Sequence, residues 1–314
     1  MYQMPFGTAW IAAICLSCIT MFLMTGRAQD AAGPVFLVVD HATVCGSNLD
    51  DLQREFASVG LKADYGGPHA NGVTHMALLG FENGSYLELI APQKSGKTEG
   101  SEWSTFMAAD AGPCAWAVAP DDITAEVNRL KVAGVKVVGP QPGSRKRPDG
   151  MSVEWQTAFI GSGTPGSTLP FMIQDRTPRA WRVQPSESLK DSGLIGIVGV
   201  VIAVNNLDAA TATFRKAFQW APPITEDHKE LDAKLAYFPG TPVILAASLD
   251  GKGWIEERVQ KLGESPVAFL LGTRDVAAAQ KKFHLSNGKP WFEQKMAWFD
   301  EKKLNGVRLG VQGQ

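Results

Sequence analysis

Three features of the sequence predict an α+β fold made of four copies of one unit. A largely apolar run of strand length recurs at residues 35–44, 114–119, 195–204 and 267–272. Each run is followed by apolar residues at helical spacing, and each helix by two further short β-type runs. The fourth copy is the weakest, and the copies pair as one with two and three with four.

In the first unit, residues 35–44 are apolar at almost every position, as expected of a strand covered on both faces. Asn48 has the side chain of an N-cap, and Leu49, Leu52, Phe56 and Val59 form the apolar stripe of a helix closed by Gly60. Gly66 and Gly67 read as loop. Residues 73–81 and 86–91, joined through Asn83-Gly84, read as a hairpin. The second unit has a helix over residues 122–133 and strands over 151–160 and 169–174. The third has a helix over 208–218 and strands near 235–238 and 243–247. The fourth has a helix over 275–283 and strands near 295–299 and 307–311. Between the pairs, residues 177–192 are rich in Pro, Arg and Ser without a clean period, which marks them as a linker. The expected organisation is therefore residues 1–28, a first domain over 35–176, the linker 177–192, and a second domain over 193–314.

With 314 residues, a formal charge of −2 and 45% hydrophobic residues, the chain has the balance of an ordinary globular protein. The one basic cluster, Arg145-Lys146-Arg147, is too short to track a phosphate backbone, so no nucleic-acid partner is expected. Residues 1–26 carry no charged side chain, and residues 8–25 are an apolar block followed by Gly26, Arg27 and Ala28. That pattern predicts a secretory signal cleaved near Gln29, with an uncleaved membrane anchor as the alternative. The expected location is secreted or periplasmic. Removal of the segment leaves Cys45 and Cys114, either a disulfide or two separate buried thiols.

Three of the five histidines, His41, His69 and His75, fall in the first unit with Glu88. Glu88 stands between Leu87 and Leu89 in an apolar strand, where a carboxylate is costly to bury without a partner. Two imidazoles and a carboxylate on neighbouring strands suit Fe, Mn, Zn or Ni with positions left open for substrate. His41, His75 and Glu88 are accordingly the expected ligand set. Against this stands the plain reading of each histidine as a satisfied core residue.

The phrases GGPHANGVTHMALL, YLELIAP, SRKRPDGMSVEW and LPFMIQD, in that order, resemble the glyoxalase-like branch of the vicinal oxygen chelate superfamily. IVGVVIAVNNLDAATATFRKAF resembles the opening of a generic superfamily module. The resemblance implies four βαβββ modules that pair into two cupped mixed sheets with helices outside, a site inside the cup, and often a divalent metal. It carries His41 and Glu88 onto the usual ligand positions and His69 onto the histidine of a GG-x-H motif. His75 falls where that branch often has Asn, so a substrate-bonding role is open to it as well. The expected roles are Glu88 and His75 in catalysis, His69 and Arg147 in substrate binding, and His41, His75 and Glu88 on the metal. The second module offers only Gln174 and Glu154 as polar candidates. In the third, Gly199 and Ile244 replace His41 and Glu88, so the second pair is expected to be degenerate.

Two superficial motifs fail. Gly161, Gly163 and Gly166 spell G-x-G-x-x-G but precede a strand rather than a helix, and Gly96-Lys97-Thr98 lacks the first glycine of a P-loop. The leading expectation is an exported enzyme, a metal-dependent lyase, isomerase or dioxygenase acting on a small oxygenated substrate. Its rivals are a metal-free small-molecule binding protein and a structural module that binds a partner.

Overall fold

The computed structural model of the protein describes Met1 and residues 33–314 apart from residue 230. The expected export segment lies outside the described residues. Pro34–Gln314 form one compact unit.

The first half comprises β1 (Val39–Cys45), α1 (Leu49–Ser58), β2 (Asp64–Pro68), β3 (Thr74–Gly80), β4 (Tyr86–Pro92), α2 (Ser104–Ala108), β5 (Gly112–Val118), α3 (Ile123–Val132), β6 (Val137–Lys146), β7 (Ser152–Ile160) and β8 (Phe171–Asp175). Its strands form one mixed sheet in the order β2-β3-β4-β1-β5-β8-β7-β6. After α4 (Arg179–Arg182), the second half repeats the plan with β9 (Leu194–Ala203), α5 (Leu207–Phe218), β10 (Ile224–His228), β11 (Ala233–Tyr237), β12 (Val243–Ser248), α6 (Gly253–Leu262), β13 (Ser265–Thr273), α7 (Val276–Phe283), β14 (Ser286–Asn287), β15 (Met296–Trp298) and β16 (Arg308–Gly313). Its order, β10-β11-β12-β9-β13-β16-β15-β14, is the same one. Each sheet is thus two βαβββ modules joined through their first strands, β1 with β5 and β9 with β13.

Local chemistry sets the helices. Asn48 Oδ1 accepts from the backbone of Asp50 and Asp51, and Asp122, Asn206 and Asp275 cap α3, α5 and α7 in the same way. Gly60, at φ +87°, turns the chain out of α1. The inner faces of these helices, Phe56, Leu130, Phe214 and Phe283 among them, share one buried cluster with apolar residues of both sheets. Burying one such phenylalanine contributes roughly 2–3 kcal/mol.

β1 starts four residues later than expected. Val35 is instead held by the end of α5, its N–H donating to Phe218 O at 3.0 Å and its carbonyl accepting from Trp220 Nε1 at 2.8 Å. The expected linker is packed against the first sheet. Ser186 N–H donates to Gly80 O at 3.0 Å, Gly80 N–H donates to Ser186 Oγ at 3.1 Å, and Arg182 is 3% exposed. Gly161, Gly163 and Gly166 lie in the loop between β7 and β8. Cys45 and Cys114 form a disulfide between β1 and β5, with Cα atoms 5.9 Å apart.

Candidate active site

The other face of the first sheet holds a cavity of about 250 Å³. Its floor comes from alternate residues of three adjacent strands: His41 on β1, Thr74, Met76 and Leu78 on β3, and Tyr86 and Glu88 on β4. The parallel register of β1 and β4 sets Thr43 opposite Glu88, and the antiparallel register of β3 and β4 sets Leu78 there from the other side. Trp103, Trp155, Phe159 and Phe171 provide aromatic walls, and Arg145 closes one side.

Glu88, 6% exposed, is the centre. Its Oε1 lies 3.4 Å from His69 Nε2 and its Oε2 3.8 Å from His41 Nε2, while Thr43 Oγ1 donates to Oε2 at 3.3 Å. Burial by itself would raise the carboxyl pKa. The hydrogen bond from His69 and the charges of His41, His69 and Arg145 outweigh it and hold the value down at about 2. A carboxylate so held is ionised at neutral pH, which suits a ligand or an anionic anchor better than a general base.

Both imidazoles are fixed through Nδ1. That of His69 is bonded to Thr74 Oγ1 at 2.8 Å, and that of His41 to Asp40 Oδ1 at 2.7 Å. Each therefore turns Nε2 towards Glu88. His41 also stacks on Tyr86, with ring centroids 4.7 Å apart, and meets the edge of Phe171.

The expected partnership of His41, His69 and Glu88 in one cavity is present, but that of His75 is not. His75 follows Thr74 and precedes Met76, both of which face the cavity, so the pleat turns it to the helix-bearing side. There it meets the edge of Tyr65, and burial lowers its pKa. The expectation that His75 shares the cavity is corrected on that ground; of the two, His69 is the one that lines it. Arg147 is also displaced from the expected role. It pairs with Asp149 at 2.8 Å and donates to Trp181 O, outside the cavity. The cavity arginine is Arg145, two residues earlier and on the same face of β6 as Gly143. Gln174 is occupied at the start of α3, donating to Asp121 O and accepting from Ile123 N–H, and Glu154 is exposed.

A model of the glyoxalase-like domain family matches residues 39–218. The chain belongs to that family. Two solved structures share its architecture over most of the chain. A hypothetical protein from Staphylococcus aureus superposes with a TM-score of 0.59 at 18% identity, covering 89% of this chain and all of that one. A mutant 4-hydroxymandelate synthase from Streptomyces coelicolor superposes with 0.58 at 12% identity, covering 90% and 93%. Methylmalonyl-CoA epimerase from Mycobacterium tuberculosis covers 38% of the chain, at 18% identity and a TM-score of 0.34. For the first two structures the likeness is one of fold. No curated protein matches the sequence.

The glyoxalase-like site can be tested for a metal on its own donors. Two imidazole Nε2 atoms and an ionised carboxylate are the donor types a divalent transition metal takes, and both Nδ1 atoms are tied to oxygen as ligating histidines require. The 3.8 Å between His41 Nε2 and Glu88 Oε2 is beyond hydrogen-bond reach and leaves room for a cation or a proton. In donor chemistry the set fits. In spacing it is relaxed: among the described residues no group of three His, Cys, Asp or Glu stands at metal-holding geometry.

The second sheet shows what the glyoxalase-like plan becomes without this centre. Register sets Ile244 opposite Val201 as Glu88 is opposite Thr43, which puts Gly199 in the place of His41. Its interior is filled by Val201, Leu235, Ile244 and Trp291, with Ile255 and Val259 of α6. One histidine persists. His69 bonds Thr74 across the edge of the first sheet, and His228 pairs with the equivalent Ala233 in the second. His228 is 8% exposed, with neither ring nitrogen bonded.

Sequence reasoning missed Arg145, Tyr86, Thr43, and the pair Asp40 and Arg182. Asp40 carried a usable signal, as a second charged residue beside His41 in a strand otherwise apolar. Arg182 carried none, because its segment reads as linker.

Proposed function

We propose that the protein is an enzyme acting on a small oxygenated molecule held in the first-sheet cavity, with His41, His69 and Glu88 as its reaction centre. The observation that carries this reading is a buried, ionised carboxylate faced by two oriented imidazole nitrogens at the floor of an otherwise aromatic pocket. The three side chains would hold one Fe, Mn, Zn or Ni ion, which when bound supplies Lewis-acid polarisation of a substrate oxygen. The chain's own residues do the rest. Trp103, Trp155 and Phe171 exclude water and orient the apolar part of the substrate, and Arg145 offers positive charge beside the centre. The reaction class is that of a lyase, isomerase or dioxygenase.

A second reading, a metal-free binding protein, is favoured by one specific observation. His69 Nε2 reaches Glu88 Oε1 directly at 3.4 Å, while His41 Nε2 stands 3.8 Å from Oε2. Metal content of purified protein, reconstituted with each ion in turn, separates the readings. One equivalent of metal in the wild type and none in Glu88→Ala supports the enzyme. No metal under any condition, with retained small-molecule binding, supports the binding protein.

Export completes the proposal. The apolar residues 8–25 act as a cleaved signal or as an anchor, and the disulfide of the mature chain supports an oxidising compartment. A small molecule is the expected partner.

A further inference from the structure

Arg182 belongs to the connection between the two sheets, yet its guanidinium is committed entirely to the first. Nη1 donates to Asp40 Oδ1 at 2.9 Å and to the Tyr86 hydroxyl at 2.8 Å. Nη2 donates to Asp40 Oδ2 at 2.8 Å and to Asp175 Oδ2 at 3.0 Å, and Nε donates to Asp175 Oδ1. Arg179 adds a further donor to Asp40 Oδ2. All five N–H groups of Arg182 are therefore spent, and none is left for a substrate.

What this fork holds is Asp40, 1% exposed and next to His41. Asp40 Oδ1, the oxygen that takes one Arg182 donor, is also the one bonded to His41 Nδ1 at 2.7 Å. An ionised carboxylate only accepts, so Nδ1 of His41 must carry the ring proton. With the ring proton on Nδ1, Nε2 is the nitrogen aimed at Glu88 and the cavity.

We propose that Arg182 and Asp40 are positioning residues that fix the tautomer and orientation of His41, and so prepare Nε2 as a metal ligand. The inference rests on the reading of His41 as part of the centre. It goes beyond it by making the site depend on a side chain from the inter-sheet connection. The relay is Arg182 to Asp40 to His41, with Tyr86 bonded to the first member and stacked on the last.

Asp40→Asn tests the relay at its middle. The amide oxygen is drawn to the Oδ2 position, where the donors of both Arg179 and Arg182 converge, which leaves the NH2 group facing His41. Nδ1 must then accept, and the proton moves to Nε2, the same inversion that the Asp→Asn change produces in a Ser-His-Asp triad. The readout is the imidazole 15N spectrum of histidine-labelled protein, assigned with His41→Gln, alongside Co2+ titration by visible absorption. The wild type is expected to show the Nδ1–H form of His41. Asp40→Asn is expected to show the Nε2–H form and to bind Co2+ 10- to 100-fold more weakly. Arg182→Lys, which keeps the charge but not the fork, gives a mixed tautomer and a smaller loss, and carries the test if Asp40→Asn does not fold. Arg258→Lys, at a half-buried arginine that bonds backbone carbonyls away from the site, leaves both readouts unchanged. An Nε2–H form in the wild type, or an unaltered tautomer in both relay variants, overturns the proposal. Failure of wild-type protein to bind Co2+ would remove the metal reading alone, because the spectrum still reports the relay.

Discussion

Asp40 and His41 are consecutive residues of one strand, yet both side chains reach the same polar centre. The pairing of β1 with β5 explains it: Val39 is opposite Val118 and His41 opposite Ala117, so Asp40 is an extra residue on β1. Such a bulge re-aims a side chain that strict alternation would send to the helix-bearing face. The result is a buried carboxylate behind a buried imidazole, with Arg182 behind both.

Acid should remove part of the stability in a defined window. The folded-state pKa of Glu88, about 2, lies below its ordinary 4.5, and Arg182 and the bond from His41 hold Asp40 below its own ordinary range against the opposing effect of burial. A depressed carboxylate stabilises the fold fully above its unfolded pKa and loses that contribution as pH falls. Glu88 contributes on the order of 3 kcal/mol that disappears between about pH 4.5 and pH 2. Urea melts from pH 7 to pH 2 should show this slope in the wild type and a shallower one in Glu88→Gln.

The disulfide closes a loop of 69 residues across β1 and β5. Its reduction, or the Cys45→Ser and Cys114→Ser pair, should cost about 2–4 kcal/mol of stability. Denaturant unfolding with and without reductant measures it, and superimposable curves would contradict the assignment.

His228 should be dispensable where its counterpart His69 is not. A buried imidazole with neither nitrogen bonded gains nothing from its polarity. His228→Leu should be neutral or stabilise by about 1 kcal/mol. His69→Leu removes the donor to a buried carboxylate and should destabilise by about 1–3 kcal/mol. Thermal melts of the two variants side by side decide the matter.

The inter-sheet connection should not tolerate a methyl group at Gly80. A Cβ there would stand 2.1 Å from Gln184 O. Gly80→Ala should therefore push the segment carrying Arg182 off β3 and cost about 1–3 kcal/mol. Increased proteolysis near residues 179–189 would accompany it.

Much of the fold is legible in the sequence because its central strands are apolar and helices α1, α3, α5 and α7 carry side-chain caps, whereas α2 and α6, without one, are not announced. The strands that escape notice, β2, β6, β10 and β14, are the four edges of the two sheets. These edge strands are largely exposed, and two of them admit Gly and Pro, so no hydrophobic period announces them. β2 contains Gly66, Gly67 and Pro68, and β6 contains Gly139, Pro140, Pro142 and Gly143. This explains why half of the site is obscure. His41 and Glu88 lie on central strands and read directly, whereas His69 follows one missed edge and Arg145 lies on another. His75 is the instructive error: it lies on a visible strand one residue out of phase with the cavity, and a one-residue offset exchanges the faces of a sheet.

The central claim is that His69, rather than His75, completes the centre with His41 and Glu88. Calorimetric titration of Mn2+, Zn2+ or Ni2+ into the wild type, His69→Ala and His75→Ala tests it most directly. The account predicts one site in the wild type, at least a tenfold loss of affinity in His69→Ala, and wild-type affinity in His75→Ala. Loss in His75→Ala with unchanged binding in His69→Ala would contradict it.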